Sequence, residues 1–275
     1  MDKKRVLYVS QEIFPYTNET KMGVMGSSLP QITQESGKDI RIFLPRFGTV
    51  NERRHQLHEV IRLSGMNLII DDFDHQLIIK VASIQQLRMQ VYFIDNEEFF
   101  PRRQLFHDSD GVLLSNNDER MIFYCKGVIE TVRKLGWSPD VIHCQGWFTS
   151  LVPMYIKKLY ADDPLFENTK VIYSVFDNAY EGKLSESIID KLLFEDLKME
   201  DVEGLANLNV NQLNKFAASY ADGVIQASDN IDKDVIDHIK SLDKPFMEFP
   251  GEEDYKEAYL DFYEIFIPEN EEIEA

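Results

Sequence analysis

Two short apolar runs, Val6-Leu7-Tyr8-Val9 and Ile40-Arg41-Ile42-Phe43-Leu44, lie on either side of one helical stretch. Strand, helix and strand in so little chain close as a parallel pair with a right-handed crossover. The first run is continuous rather than alternating, the pattern of a strand covered on both faces. Gly37 stops the helical stretch after Ser36, and Pro45 stops the second strand. A chain that begins this way is committed to an open α/β sheet, whose ligands bind beyond the carboxyl ends of the strands.

The style changes over residues 60–94. Ile69-Ile70, Leu77-Ile78-Ile79-Lys80-Val81 and Met89-Gln90-Val91-Tyr92-Phe93-Ile94 are separated by short polar turns, which predicts an antiparallel hairpin insertion. Asp72-Phe73-Asp74 could suggest a metal-dependent sugar-nucleotide site, but a hairpin tip is the simpler reading. From Asn117 onward Met121, Cys125, Val128, Ile129, Val132 and Leu135 recur at helical spacing, and Gly136 ends that helix. Val141-Ile142-His143 and Val171-Ile172-Tyr173-Ser174-Val175 are two further buried strands around a helix near residues 151–160. Gly223-Val224-Ile225-Gln226 is expected to be the last strand, with a helix after it. Residues 1–245 form one domain on this reading, and 246–275 an acidic C-terminal helix and tail. That tail holds ten acidic residues against one lysine from Gly251 on. Tyr255, Tyr259, Phe262 and Phe266 fall on one face of it, which predicts a packed helix with only residues 268–275 frayed.

Composition narrows the function. The 275 residues are 44% hydrophobic and 12% aromatic, enough for a large core. A net charge of -19 argues against nucleic acid and anionic membrane as partners, since both attract positive potential. Cys125 and Cys144 give neither a disulfide framework nor a zinc set, and His55 and His58 lack a third ligand and read as surface residues. No cofactor or metal is expected. No apolar signal core follows the first residues and no stretch is long enough to span a membrane, so a reduced cytoplasmic location is expected.

Three loops follow strand ends: residues 11–25, 144–148 and 176–187. The first contains Lys21-Met22-Gly23-Val24-Met25-Gly26, a lysine and two glycines ahead of a helix. Such a loop can cradle a phosphate, though lysine plus glycine in a loop is more often an ordinary loop.

Taken in order, these segments resemble the N-terminal domain of bacterial glycogen synthases and plant starch synthases. The opening matches through Ser10-Gln11-Glu12, Pro15, the loop from Lys21 to Ser27, and Leu29-Pro30. Leu44-Pro45-Arg46-Phe47-Gly48, Val91-Tyr92-Phe93-Ile94-Asp95-Asn96 and Phe99-Phe100-Pro101-Arg102 continue it. Asn116-Asn117-Asp118-Glu119-Arg120 resembles the family's Asp-Asn-x-x-Arg helix start. Pro139-Asp140-Val141-Ile142-His143 with Trp147 resembles its Pro-Asp-Val-x-His-x-His-Asp-Trp signature. Residues 175–182 resemble the His-Asn-x-Ala-Tyr-Gln-Gly loop, and Tyr220-Ala221-Asp222 a late Tyr-Ala-Asp segment.

The resemblance implies the first, Rossmann-like half of a two-domain GT-B glycosyltransferase. It implies metal-independent, retaining transfer of glucose from ADP-glucose to an α-1,4-glucan, with no side-chain nucleophile. It also implies a second Rossmann-like domain for most ADP-glucose contacts, which nothing after Pro250 is long enough to supply. Weak or absent autonomous transfer is therefore expected, with a second polypeptide as one possible source of the missing half. The alternative is a non-catalytic glucan-binding or regulatory module.

Departures cluster at polar positions. Met22 stands for the family's Thr, Val24 for its second Gly, Ser27 for Asp, Asn116 for Asp, Gln145 and Gly146 for the second His and Asp, and Phe176-Asp177 for His-Asn. A branched residue at 24 hinders close backbone approach to a phosphate. The resemblance carries substrate-binding roles to Lys21, Gly23, Glu12, Asn116, His143, Gln145, Trp147, Asp177 and Tyr180, and Lys21 matches the lysine that contacts the ADP-glucose phosphate. The residues leave alternatives open. Lys21 could be a solvated lysine, His143 a satisfied core histidine and Trp147 an aromatic that packs its loop. Glu12 could orient the first loop or be a surface carboxylate, and Tyr180, with Gly182, could shape its loop.

Overall fold

The structure is a computed structural model that describes residues 3–177, 180–206 and 208–267. Asn178 and Ala179 of the third loop, and the tail at 268–275 expected to fray, lie outside the described residues. Among the described residues there are ten strands: β1 (Arg5–Ser10), β2 (Asp39–Pro45), β3 (His58–Glu59), β4 (Met66–Ile70), β5 (Phe73–Ile84), β6 (Met89–Asp95), β7 (Val141–Gln145), β8 (Lys170–Val175), β9 (Gly223–Gln226) and β10 (Phe246–Met247). The helices are α1 (Lys21–Glu35), α2 (Glu52–His55), α3 (Asn117–Leu135), α4 (Val152–Lys157), α5 (Ile188–Leu193), α6 (Met199–Val202), α7 (Val210–Tyr220), α8 (Lys233–Ser241) and α9 (Tyr255–Glu264).

The sheet runs β10-β9-β8-β7-β1-β2-β6-β5-β3, with β4 paired to β5. Every pair from β10 to β6 is parallel, and β5 pairs antiparallel with β6, β3 and β4. This is the open Rossmann-like sheet with the hairpin insertion that the sequence predicts. The hairpin tip is Asp71-Asp72, with Asp71 left-handed at φ 57° and Ile70 opposite Phe73, so the D-x-D is a turn and strand start. One strand is added to the expected set. Phe246-Met247 pairs parallel with β9, so Gly223–Gln226 is not the last strand. Two residues are too short for a periodic signal.

Alternation along the strands sends side chains to two cores. Leu7, Val9, Cys144, Tyr173 and Val224 pack on the side of α3, α4, α7 and α8. Val6, Tyr8, Val141 and Ile172 pack against α1 and α9. Of the expected aromatic face, Tyr259 and Phe262 are buried there while Tyr255 and Phe266 are half-buried, and Tyr263, not named from the sequence, is buried beside them. Both cysteines are buried and free. Among the described residues no helix is long and apolar enough to cross a membrane.

The start of α1 corrects the first loop. Lys21 to Gly26 is not loop but the first turns of the helix. Thr20 caps it, its hydroxyl oxygen accepting from the Gly23 amide at 2.9 Å while donating to Glu12 Oε2 at 2.6 Å. The glycines are there for contact. A Cβ on Gly26 would lie 2.4 Å from the Glu12 carbonyl oxygen, and one on Gly23 would lie 2.8 Å from that of Asn18.

Candidate functional site

Strand order reverses between β1 and β7, since β2 continues one way and β8 the other. A crevice beyond the carboxyl ends is expected at this switch point. Here it is filled. Ser10 donates to Gln145 Oε1 at 2.8 Å, the Gln11 amide donates to the Gln145 carbonyl at 3.1 Å, and Gln11 Oε1 accepts from the Phe148 amide at 3.0 Å. Gly146 turns the chain at φ 88°. A Cβ at that position would meet Gln11 Oε1 at 2.7 Å and Met22 Cε at 2.9 Å. A carboxylate at 146 would therefore need both the left-handed backbone and space that Met22 occupies.

The signature residues face inward. His143 is fully buried, with Nδ1 2.7 Å from the Tyr263 hydroxyl and Nε2 2.7 Å from that of Ser174. Burial holds its pKa down at about 3, so the ring is neutral. Tyr263 in turn meets Tyr8 at 3.0 Å, and Tyr8 meets Thr33 at 2.8 Å. Trp147 is 2% exposed and packs on Phe106 and Tyr180, with ring centroids 4.8 and 4.7 Å away. Gln145 is fully buried too.

Asn116 is half-buried at the start of α3, and the groups that organise that corner are its neighbours. Asn117 donates to the Phe106 carbonyl at 2.8 Å, and Arg120 donates to Phe99 and Leu105 carbonyls and to Asn117 Oδ1. These bonds pin the long connection before α3. Burial, with Arg102 nearby, lowers the Arg120 pKa to about 10.

Among the described residues, two clefts lie open at the carboxyl edge. One, of about 330 Å³, lies between the start of α1, the segment after β9 and the turn before α9; Val24, Met25, Phe249 and Tyr255 line it, with Lys21 and Glu252. Lys21 is exposed and ion-paired with Glu252, whose carboxylate raises the lysine pKa, with smaller help from Asp177 and Asp229. The second, of about 630 Å³, is polar. Asp177 and Tyr180 line it together with Asn209, Asn211, Asn214 and Asp232 from the far side. Asn214 Oδ1 accepts from Tyr173 at 2.7 Å, Asn211 donates to Asp232 at 2.9 Å, and Tyr180 donates to the Leu208 carbonyl at 3.0 Å. The Asp177 amide donates to the Ser228 hydroxyl at 3.3 Å, and Ser228 lines the first cleft, so the two clefts adjoin.

Of the nine sequence candidates, Asp177 and Tyr180 share the polar cleft and Lys21 lines its neighbour. Glu12 and Gly23 hold the start of α1. His143, Gln145 and Trp147 are packed away, and Asn116 lines none of these clefts. The asparagines of the α7 region and the segment after β9 were missed. The strand-end rule, extended to Gln226, would have found the latter. Among the described residues no group of side chains could hold a metal ion. His55 is half-buried and edge-on to Tyr16 at 4.9 Å, while His58 is exposed.

Residues 5–245 match the family model described as the starch synthase catalytic domain. The chain belongs to the starch synthase catalytic domain family. It is 36% identical over 207 residues to a glycogen synthase of Chlorobium limicola, covering 75% of this chain and 42% of that protein. It is 34% identical over 234 residues to the glycogen synthase of Chlorobaculum tepidum, covering 85% and 47%. The chain thus spans less than half the length of these curated relatives. The catalytic domain of starch synthase IV from Arabidopsis thaliana, solved bound to ADP and acarbose, superposes with a TM-score of 0.73 at 18% identity, covering 90% of this chain and 51% of that one. That likeness is one of fold, the GT-B half expected from sequence. Residues 139–147, likened from sequence to the family's signature, place Gln145 at the end of β7 and Gly146 at the switch point.

Proposed function

We propose that this chain is a glycogen synthase-type domain that engages α-glucan and transfers little or no glucose by itself. The observation that supports the reading is the filled switch point, where the side chains of Gln11 and Met22 close directly on Gly146. A glucan needs groups that both donate to and accept from hydroxyls, and carboxamides do both. The polar cleft supplies Asn209, Asn211 and Asn214 with Asp177, Asp232 and the Tyr180 ring. It is the glucan subsite on this reading. Lys21 is the remaining contact for the phosphate of a sugar nucleotide, with Glu252 as its competitor. Trp147 packs against Tyr180 in the wall of the polar cleft, and Glu12 and Gly23 fix the helix that presents Lys21.

The test is incorporation of labelled glucose from ADP-glucose into glycogen by the purified chain. Incorporation at background supports the reading. Turnover typical of enzymes, about 1 s⁻¹ or more, and abolished by Lys21→Ala, sinks the non-transferring half of it. A polypeptide that supplies the sugar-nucleotide domain belongs to the same reading, and transfer restored by a co-purifying chain would identify it.

A further inference from the structure

A third cleft, of about 550 Å³, shares no lining residue with the two at the carboxyl edge. It lies on the α1 side of the sheet, between the loop after β1, the short helix α2 and the turn that joins β5 to β6. The chain carries 48 acidic residues against 29 basic ones, yet among the described residues no aspartate or glutamate lines this cleft. Arg54 and His55 do, flanked by Gln56 and Gln85. Among the described residues Arg54 makes no ion pair through its guanidinium, and it bears on His55 electrostatically. Burial, helped by Arg54, lowers the His55 pKa.

The wall holds an unmet group. Tyr16 is 3% exposed, its ring is edge-on to His55 and to Phe93 at 4.9 Å each, and its hydroxyl has no hydrogen-bond partner. Burial without a partner raises its pKa to about 12, so the hydroxyl keeps its proton and remains a donor. Phe14 adds an apolar surface at the rim, 39% exposed.

This chemistry differs from that of the glucan subsite. Neutral sugars are held by carboxylates and carboxamides that accept from hydroxyls, and the polar cleft offers both. An arginine, a histidine and a phenol without any carboxylate offer donors to an anion, and a guanidinium matches the geometry of a phosphate in particular. The glutamine amides and the Phe14 face suit the polyol or sugar that carries the phosphate.

We propose that the cleft around Tyr16, Arg54 and His55 binds a small phosphate monoester, a sugar phosphate in class. Arg54 pairs with the phosphate, His55 and the Tyr16 hydroxyl bond to its oxygens, and Gln56 and Gln85 contact the sugar. The net negative charge of the chain opposes anion approach, so binding depends on these local donors.

The experiment is calorimetric titration of the full chain with glucose 1-phosphate, with glucose and inorganic phosphate as the two partial probes. The His55 ring resonance is followed in parallel. The expected result is a dissociation constant near or below about 1 mM for the ester, at least about tenfold weaker binding of inorganic phosphate, and no heat with glucose. Arg54→Ala should weaken the ester at least about tenfold and suppress the His55 shift, as loss of a charged hydrogen bond does. Tyr16→Phe, which keeps the ring packing, should weaken it severalfold. No heat with the ester at about 10 mM overturns the proposal, as does unchanged affinity in Arg54→Ala with native circular dichroism. Glucose binding as tightly as the ester would make this a neutral-sugar site, and equal binding of inorganic phosphate would remove the sugar from the assignment.

Discussion

Both ring nitrogens of His143 are taken up by hydroxyls, and the ring has no contact with water. Its folded pKa of about 3 lies below the ordinary value near 6.5. The unfolded chain therefore binds a proton first as pH falls. The stabilisation from a neutral His143 is whole above about pH 6.5 and is lost on the way down to about pH 3. Between pH 6.5 and 5 the loss should be about 2 kcal/mol. Urea unfolding at both pH values checks this, because His143→Gln should lack that part of the slope. Gly26 makes a second residue-level prediction. The oxygen 2.4 Å from its hypothetical Cβ belongs to a backbone carbonyl, which cannot swing aside. Gly26→Ala should therefore cost about 1–3 kcal/mol, despite alanine's better helix propensity.

At the scale of elements, α9 is tied to the sheet by chemistry as well as by packing. Tyr263 links Tyr8 to His143 in a buried chain of hydrogen bonds, whereas Tyr255 meets Ser28 at a half-buried site, 2.8 Å away. Tyr263→Phe leaves two buried partners short and should cost about 1–3 kcal/mol, while Tyr255→Phe should stay within about 1 kcal/mol. Equal losses in denaturant melts would contradict this view of the helix. Elements with a strong period were legible in the sequence. The α3 helix spans Asn117 to Leu135 with Gly136 left-handed at its end, as its apolar spacing indicates, and β1, β2, β7 and β8 follow their apolar runs. Elements set by contact were not. Lys21-Met22-Gly23 reads as loop because glycine marks turns, but these glycines serve the close approach of helix to loop, and the signal for helix was the Thr20 cap. The short β10 exists because β9 offers it an edge.

For the whole molecule, the fold of the family is kept while the switch point is filled. The residues there fit one another. Met22 lies where a side chain at 146 would go, and Gly146 is the residue that φ 88° favours. A sequence shows each of these residues alone, and only their contact in space shows that they close one crevice. The polar cleft escaped the sequence for a similar reason. Asp177 and Tyr180 sit in a recognisable loop, but Asn209, Asn211 and Asn214 come from the α7 region, where isolated polar residues carry no pattern. The central claim is that this cleft holds glucan. Calorimetric titration of the purified chain with maltoheptaose tests it most directly. The account predicts saturable binding that Asp177→Ala and Asn211→Ala each weaken about tenfold, as expected for a lost hydrogen bond in a polar site. No heat at millimolar glucan, or binding indifferent to both substitutions, would contradict it.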